Sequence, residues 1–225
     1  MATAEIIKAN SRYQKWEEKA FSELDTALHN ILSGDVVLQK AGIKKMLSYS
    51  TQELGGRSLP VREWFLNHKN REQCFGSIKM DMPAKLISDL FRCFHFVCER
   101  LIDHSVMWAD FPSTQETIDY KDRLHQTVLQ FTTHPSADVR VDVAYCLALL
   151  GDTHAWDIYT NTVQKKSSCC AWLRAAIKRY SAQSITDSQK QKLKSVLLTI
   201  ENKSNNPSVK RNARLVIDII EEATL

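Results

Sequence analysis

Three apolar–basic pairs recur in the second half of the chain at nearly constant intervals: Val139-Arg140, Leu173-Arg174 and Val209-Lys210, 34 and 36 residues apart. Val139, Val143, Leu147 and Leu150 fall on one side of a helix, as do Val209, Ala213, Val216, Ile217 and Ile220. Between the pairs lie two further helical patterns, one through Ala155, Ile158, Tyr159 and Val163, the other through Leu193, Val196, Leu197 and Ile200. Polar turns at Lys165-Lys166-Ser167-Ser168 and Asn205-Asn206-Pro207 separate them. A period in this range, made of two helices, constrains the fold more than any other feature. Each helix pair hides its apolar face only against neighbouring pairs, so the pattern predicts an array of stacked helices.

Residues 139–152, Val-Arg-Val-Asp-Val-Ala-Tyr-Cys-Leu-Ala-Leu-Leu-Gly-Asp, resemble the second helix of a HEAT-type repeat. Val139, Arg140, Ala144, Leu147, Leu150, Gly151 and Asp152 match that pattern outright, and Val143, Cys146 and Ala148 are small replacements. The resemblance extends over roughly residues 120–225 and implies an all-α, right-handed α-α superhelix, a HEAT-like solenoid. Local signals agree. Pro135 and Pro207 are expected just inside helix starts, where a missing N–H has no intrahelical role. Ser136 and Asp138 bring acceptors to a helix N-terminus, and Gly151 stands where a left-handed residue ends a helix.

The first half is helical without a clear repeat. Residues 5–32 are amphipathic, with Tyr13, Trp16, Ala20, Leu24, Ala27, Leu28 and Ile31 near helical spacing. Ser33-Gly34-Asp35 breaks this segment, and a shorter helix from Val36 to Tyr49 turns Ile43, Met46 and Leu47 inward. Leu54–Pro60 is the clearest loop, followed by a short helix around Val61, Trp64 and Phe65. Pro83 opens the most apolar helix, through Leu86, Leu90, Phe94, Val97, Leu101 and Ile102, which Phe111-Pro112-Ser113-Thr114 closes. The expected organisation is therefore a divergent helical region or cap over 1–110 and about three HEAT-like helix pairs over 111–225.

Six glycines and five prolines are too few for the turns of a β-rich fold. No apolar run approaches the roughly 20 residues that span a bilayer, and Ile6-Ile7 is followed at once by Lys8, Arg12, Lys15 and Glu17, unlike a secretory leader. The expectation is an intracellular, cytoplasmic protein that is not inserted in a membrane, although a nuclear protein or a translocated effector would read alike. Cys74, Cys93, Cys98, Cys146, Cys169 and Cys170 show no disulfide-like spacing and suit a reducing compartment. Cys93-Phe94-His95-Phe96-Val97-Cys98 carries zinc-type ligands. On a helix, however, the two cysteines stand about 140° apart, so core packing is the expected role and no metal site is assigned. Cys169-Cys170 reads as two partly buried small residues.

Glycine-rich phosphate loops, His-Glu-x-x-His and Gly-x-Ser-x-Gly are missing from the sequence. Histidines are scattered, with His134 and His154 expected at the surface or capping, and carboxylates sit on predicted solvent faces. No catalytic residue and no cofactor is assigned. Charge is uneven: residues 153–214 hold twelve Lys/Arg against Asp157, Asp187 and Glu201. Arg174 and Lys178 are one turn apart, as are Lys210 and Arg214. Stacking in register would bring these four cations together on the second helices, which in HEAT-like solenoids usually line the concave side; either Leu173 or Trp172 fits as the inward anchor of the middle pair, and the register there turns on which it is. Such a cluster suits an acidic partner or a phosphate backbone; solvated helix surface or ladders between repeats are the alternatives.

The function expected from these features is a non-catalytic protein-interaction scaffold or adaptor with a protein partner. Nucleic-acid binding through the basic C-terminal repeats is the alternative. Trp172-Leu173-Arg174-Ala175-Ala176-Ile177 is similar to a helix segment of the HEAT-like alkylpurine DNA glycosylases, which implies an aromatic–carboxylate pair in a basic groove. Trp108-Ala109-Asp110 and Trp156-Asp157 supply those residue types outside any recognisable family motif. Arg62, Trp64 and Phe65 are candidate interface anchors, or else the core of the N-terminal half.

Overall fold

Asp35 shows how local chemistry starts a helix here: its Oδ1 accepts from the Val37 and Leu38 N–H groups at 2.8 and 2.9 Å, and Gly34 before it turns the chain at φ +79°. The computed structural model describes the backbone of residues 2–51, 61–107, 114–180 and 185–222, and the side chains of 13–51, 61–101, 114–180 and 185–222. Among the described residues the elements are α1 (Ala2–Leu32), α2 (Val36–Ser50), α3 (Arg62–Leu66), α4 (His68–Gly76), α5 (Ala84–Met107) and α6 (Gln115–Leu129). They continue with α7 (Ala137–Leu149), α8 (His154–Lys165), a 3-10 turn (Ser167–Cys169), α9 (Cys170–Tyr180), α10 (Asp187–Lys203) and α11 (Pro207–Glu222). The fold is all-α: no strand occurs among these residues, and none of their helices is long and apolar enough to cross a membrane.

Two compact units divide the chain, Met1–Arg123 and Leu124–Leu225. The Leu54–Pro60 loop, the Ile102 side chain and Phe111-Pro112-Ser113 of the expected boundary lie outside the described residues.

In the first unit α1 packs on α2, and α2 on α5. Ala20, Leu24, Ala27, Leu28 and Ile31 form the buried stripe of α1, and Ile43 and Met46 that of α2, as their spacing predicts; Leu47 is half-buried. Gly42 lets the two helices approach, because a Cβ there would meet the Ala27 carbonyl oxygen. From α5 come Leu86, Leu90, Phe94 and Val97, all buried. Phe75 of α4 meets Phe94 at 4.7 Å and Tyr120 of α6 at 5.2 Å between ring centroids. Helix α4 is not foreseen by periodicity. Its first six residues, His68 to Gln73, are polar, and Asn67 starts it by accepting the Asn70 N–H at 3.2 Å. Arg71 within it is buried, with Glu72 and Asp119 carboxylates 3.5 and 3.6 Å away.

In the second unit α7 packs on α8, α8 on α10, α10 on α11, and α9 on both α7 and α11. The three inward anchors of the repeating pairs, Val139, Leu173 and Val209, are all buried. Helix α7 departs from the one-sided pattern expected of it. Val141, Asp142, Ala144, Cys146 and Ala148 are buried as well as Val139, Val143 and Leu147, because small and apolar residues surround the axis. Pro207 is the first residue of α11, and Asn206 before it accepts the Ser208 and Val209 N–H groups at 2.9 and 3.3 Å. Pro135 differs from expectation: it precedes Ser136, the cap of α7, whose hydroxyl makes no capping bond.

Gly151 ends α7 at φ +77°, with its N–H bonded to Ala148 O at 3.1 Å and the Asp152 N–H to Leu147 O at 2.9 Å. Nothing lies within 4 Å of a Cβ built at Gly151, so the requirement is conformational alone. Gly151→Ala is expected to cost about 1–2 kcal/mol in urea unfolding, the strain of a left-handed alanine. Gly151→Asn should cost less, since asparagine tolerates that region better.

Candidate interaction surface

Leu173, not Trp172, is the inward residue at the start of α9, and this sets what α9 presents outward. Leu173 is fully buried with Cys170, Ala176 and Ile177, while Trp172 is 43% exposed. At about 100° per residue the outer face of α9 then runs along Ala171 and Ala175, both exposed. Trp172 and Arg179 flank this strip on one edge, and Arg174 and Lys178 on the other. Tyr145 of α7 stands edge-on to Trp172 at 6.5 Å and to Tyr180 at 5.2 Å between ring centroids, so the indole is backed by the Tyr145 ring. Tyr145 and Tyr180 escape a sequence reading. The one signal is Trp172 itself, an aromatic next to an inward anchor.

The four basic residues singled out from the sequence lie on α9 and α11, helices that pack together. Arg174 is half-buried, and Lys178 and Lys210 are exposed; none of the three makes an ion pair among the described residues. Arg214 is different, with its Nε 3.0 Å from the Asp218 carboxylate one turn on. Lys166, Lys190, Lys192 and Lys194 are likewise paired, with Asp138, Asp187, Asp157 and Glu221. Arg140, the equivalent of Arg174 in the first pair, is structural: its Nη1 donates to the carbonyls of His134 and Pro135 at 2.6 and 2.9 Å.

Other candidates resolve into packing. Trp64 and Phe65 are buried, which decides for core packing over an interface role, the two readings the sequence allows: the indole N–H donates to Asp25 Oδ1 at 2.8 Å, so the ring packs with its polar atom satisfied. Arg62 donates from Nη2 to Thr117 Oγ1 at 3.3 Å. Beside Trp64 an open groove of about 480 Å³ is lined by Phe21, Leu28, His29, Asn67 and Gln73 among others. Trp156 is 1% exposed, and Asp157 accepts from Gln189 Nε2 at 2.7 Å. That pair therefore does not offer an aromatic–carboxylate groove; Trp108-Ala109-Asp110 lies outside the described residues.

Cys93, Cys98 and His95 are buried, and burial pushes both thiols up to about 12. Cys169 and Cys170 are fully inside rather than partly, and all six cysteines are free thiols. Among the described residues no group of three His, Cys, Asp or Glu is placed to hold a metal ion. Asp142 and Glu99 are buried, contrary to the expected solvent placement of carboxylates.

A polar cluster that sequence spacing conceals joins α6 to the α7–α8 turn. His125 Nε2 lies 2.6 Å from Asp152 Oδ2, and the His154 ring and backbone N–H lie 2.8 and 2.9 Å from Asp152 Oδ1. Partial burial pushes the Asp152 carboxyl up, but the hydrogen bonds from His125 and His154 outweigh it and hold the group below its ordinary range. A lowered folded value contributes stability above the unfolded value, roughly pH 4, and that contribution is lost as pH falls through the folded one. Asp152→Asn is therefore expected to destabilise the protein at pH 7 and to shrink the drop in unfolding midpoint on acidification below about pH 4. Of the two roles expected of His134, surface or capping, burial rules out the first, and its Nδ1 accepts the Ser136 N–H at 3.1 Å at the start of α7.

Comparison of the chain with protein-family models, curated proteins and solved structures found no match.

Proposed function

We propose that this protein is a non-catalytic interaction scaffold, that its second unit is a short HEAT-like stack of helix pairs, and that a partner protein docks on the outer face of α9. The observation that carries the reading is the exposed Trp172 on one edge of the outer face of α9 with Arg174 on the other, the indole standing edge-on to Tyr145, which in turn meets Tyr180. Tryptophan, tyrosine and arginine dominate interface energetics, because large rigid rings bury much area at low entropic cost. The packing of α9 against both α7 and α11, and of α8 against α10, supports the repeat reading: second helices adjoin second helices, and first helices adjoin first helices. Six free, buried thiols support a reducing compartment.

Affinity capture from cell extract with the full chain tests the proposal, with Trp172→Ala and the exposed control Asn202→Ala in parallel. Polypeptides retained by the native chain and by Asn202→Ala, but lost with Trp172→Ala, are the expected result. Equal retention by all three chains sinks the α9 assignment. Nucleic acid retained in place of protein favours a phosphate-binding role for the same cations.

A further inference from the structure

We infer that the partner of the α9 face is an acidic amphipathic helix; this rests on the scaffold proposal and names its partner chemistry. Charge on α9 is one-sided: Arg174, Lys178 and Arg179 stand against no carboxylate in the whole helix Cys170–Tyr180. Lys178 is exposed and Arg174 half-buried, and neither is ion-paired among the described residues, so their complement comes from outside this surface. Ala171 and Ala175, one turn apart and exposed, give the helix a low ridge between its two edges. A second helix lies close on such a ridge, since small side chains let backbones approach. Its apolar residues then meet Trp172 and the alanine methyls, while carboxylates on its flank reach Arg174 and Lys178.

Nucleic acid fits less well. A surface that tracks a phosphate backbone needs a run of available cations. Here Lys166, Lys190, Lys192, Lys194 and Arg214 are held by carboxylates, which interrupts the series. Of the cations without an ion pair among the described residues, Arg174 and Lys178 lie on α9 and Lys165, Lys203, Lys210 and Arg211 on three other helices, so α9 carries only a short segment. A few carboxylates on one helix flank match that segment better than a polyanion.

The test is fluorescence anisotropy with the full chain and three labelled probes. They are an amphipathic helix of leucine and glutamate about five turns long, the same peptide with lysine in place of glutamate, and a single-stranded oligothymidylate. The acidic helix is expected to bind saturably and more tightly than either other probe. Its affinity is expected to fall about tenfold or more in Lys178→Glu and again in Trp172→Ala, with circular dichroism unchanged. Equal binding of the acidic and basic helices, or acidic binding indifferent to both substitutions, overturns the inference. So does tighter binding of oligothymidylate that both substitutions abolish. Capture of a protein partner that depends on Trp172, together with no binding of the acidic helix, overturns the acidic chemistry and leaves the scaffold reading standing. No Trp172-dependent capture overturns the scaffold reading itself.

Discussion

Leu173→Ala is expected to destabilise the protein by about 2–5 kcal/mol, whereas Trp172→Ala next to it should cost about 1 kcal/mol or less. Tryptophan is the larger side chain, so volume or hydrophobicity alone would rank the two the other way. The order follows from register. Leu173 is completely enclosed, and its loss leaves a cavity that α7 and α11 cannot fill without moving. Trp172 leaves 43% of its surface in solvent, so its truncation opens no enclosed cavity and removes an edge-on contact with Tyr145. Urea unfolding of both variants against the native chain reads the difference. A larger loss in Trp172→Ala would mean that α9 is rotated by one residue, which would bury the proposed docking ring.

A second large effect is expected at Gly42. Alanine normally favours a helix interior over glycine by about 1 kcal/mol. Here the added methyl would collide with the Ala27 carbonyl oxygen and stand 3.0 Å from Ile31 Cγ1. The first obstacle is backbone, which yields only if α1 and α2 separate, so overpacking outweighs propensity. Gly42→Ala is expected to lose about 1–3 kcal/mol, and Gly42→Leu to lose cooperative unfolding of the first unit. A neutral or stabilising Gly42→Ala would show that α1 and α2 do not pack as closely as described.

Much of the helical framework is legible in the sequence because single residues carry it. Asp35 after Gly34, Gly151 after Leu150 and Pro207 after Asn206 mark helix ends with chemistry that works over two or three residues. The inward anchors Val139 and Val209 follow from periodicity for the same reason, whereas Trp172 and Leu173 both fit the middle pair and only burial places Leu173 inside. What stays hidden depends on distant neighbours. Helix α4 opens on six polar residues without apolar periodicity, yet Phe75 at its end packs on Phe94 and Tyr120, and buried Arg71 lies beside two carboxylates. Trp64 reads equally as surface anchor or core until Asp25, 39 residues away, accepts its indole N–H. His125 and Asp152 meet across 27 residues.

The basic array is the instructive case for the candidate site. Sequence counts twelve cations over 153–214 and invites an extended phosphate-binding surface. Carboxylates elsewhere in the fold take up Lys166, Lys192, Lys194 and Arg214, three of them through residues distant in sequence. Of the cations without an ion pair among the described residues, Arg174 and Lys178 share α9 with the exposed Trp172, and so the proposed partner is a protein segment.

Site-specific crosslinking reads whether a protein docks on the outer face of α9. A photoreactive benzoyl-phenylalanine replaces Trp172 in one chain and exposed Asn202 in another, and both are irradiated in living cells. A discrete covalent adduct with another polypeptide is expected from position 172, and none of that mass from position 202. The same adduct pattern at both positions, or an adduct at 172 that nuclease removes and protease spares, would contradict a protein-docking face on α9.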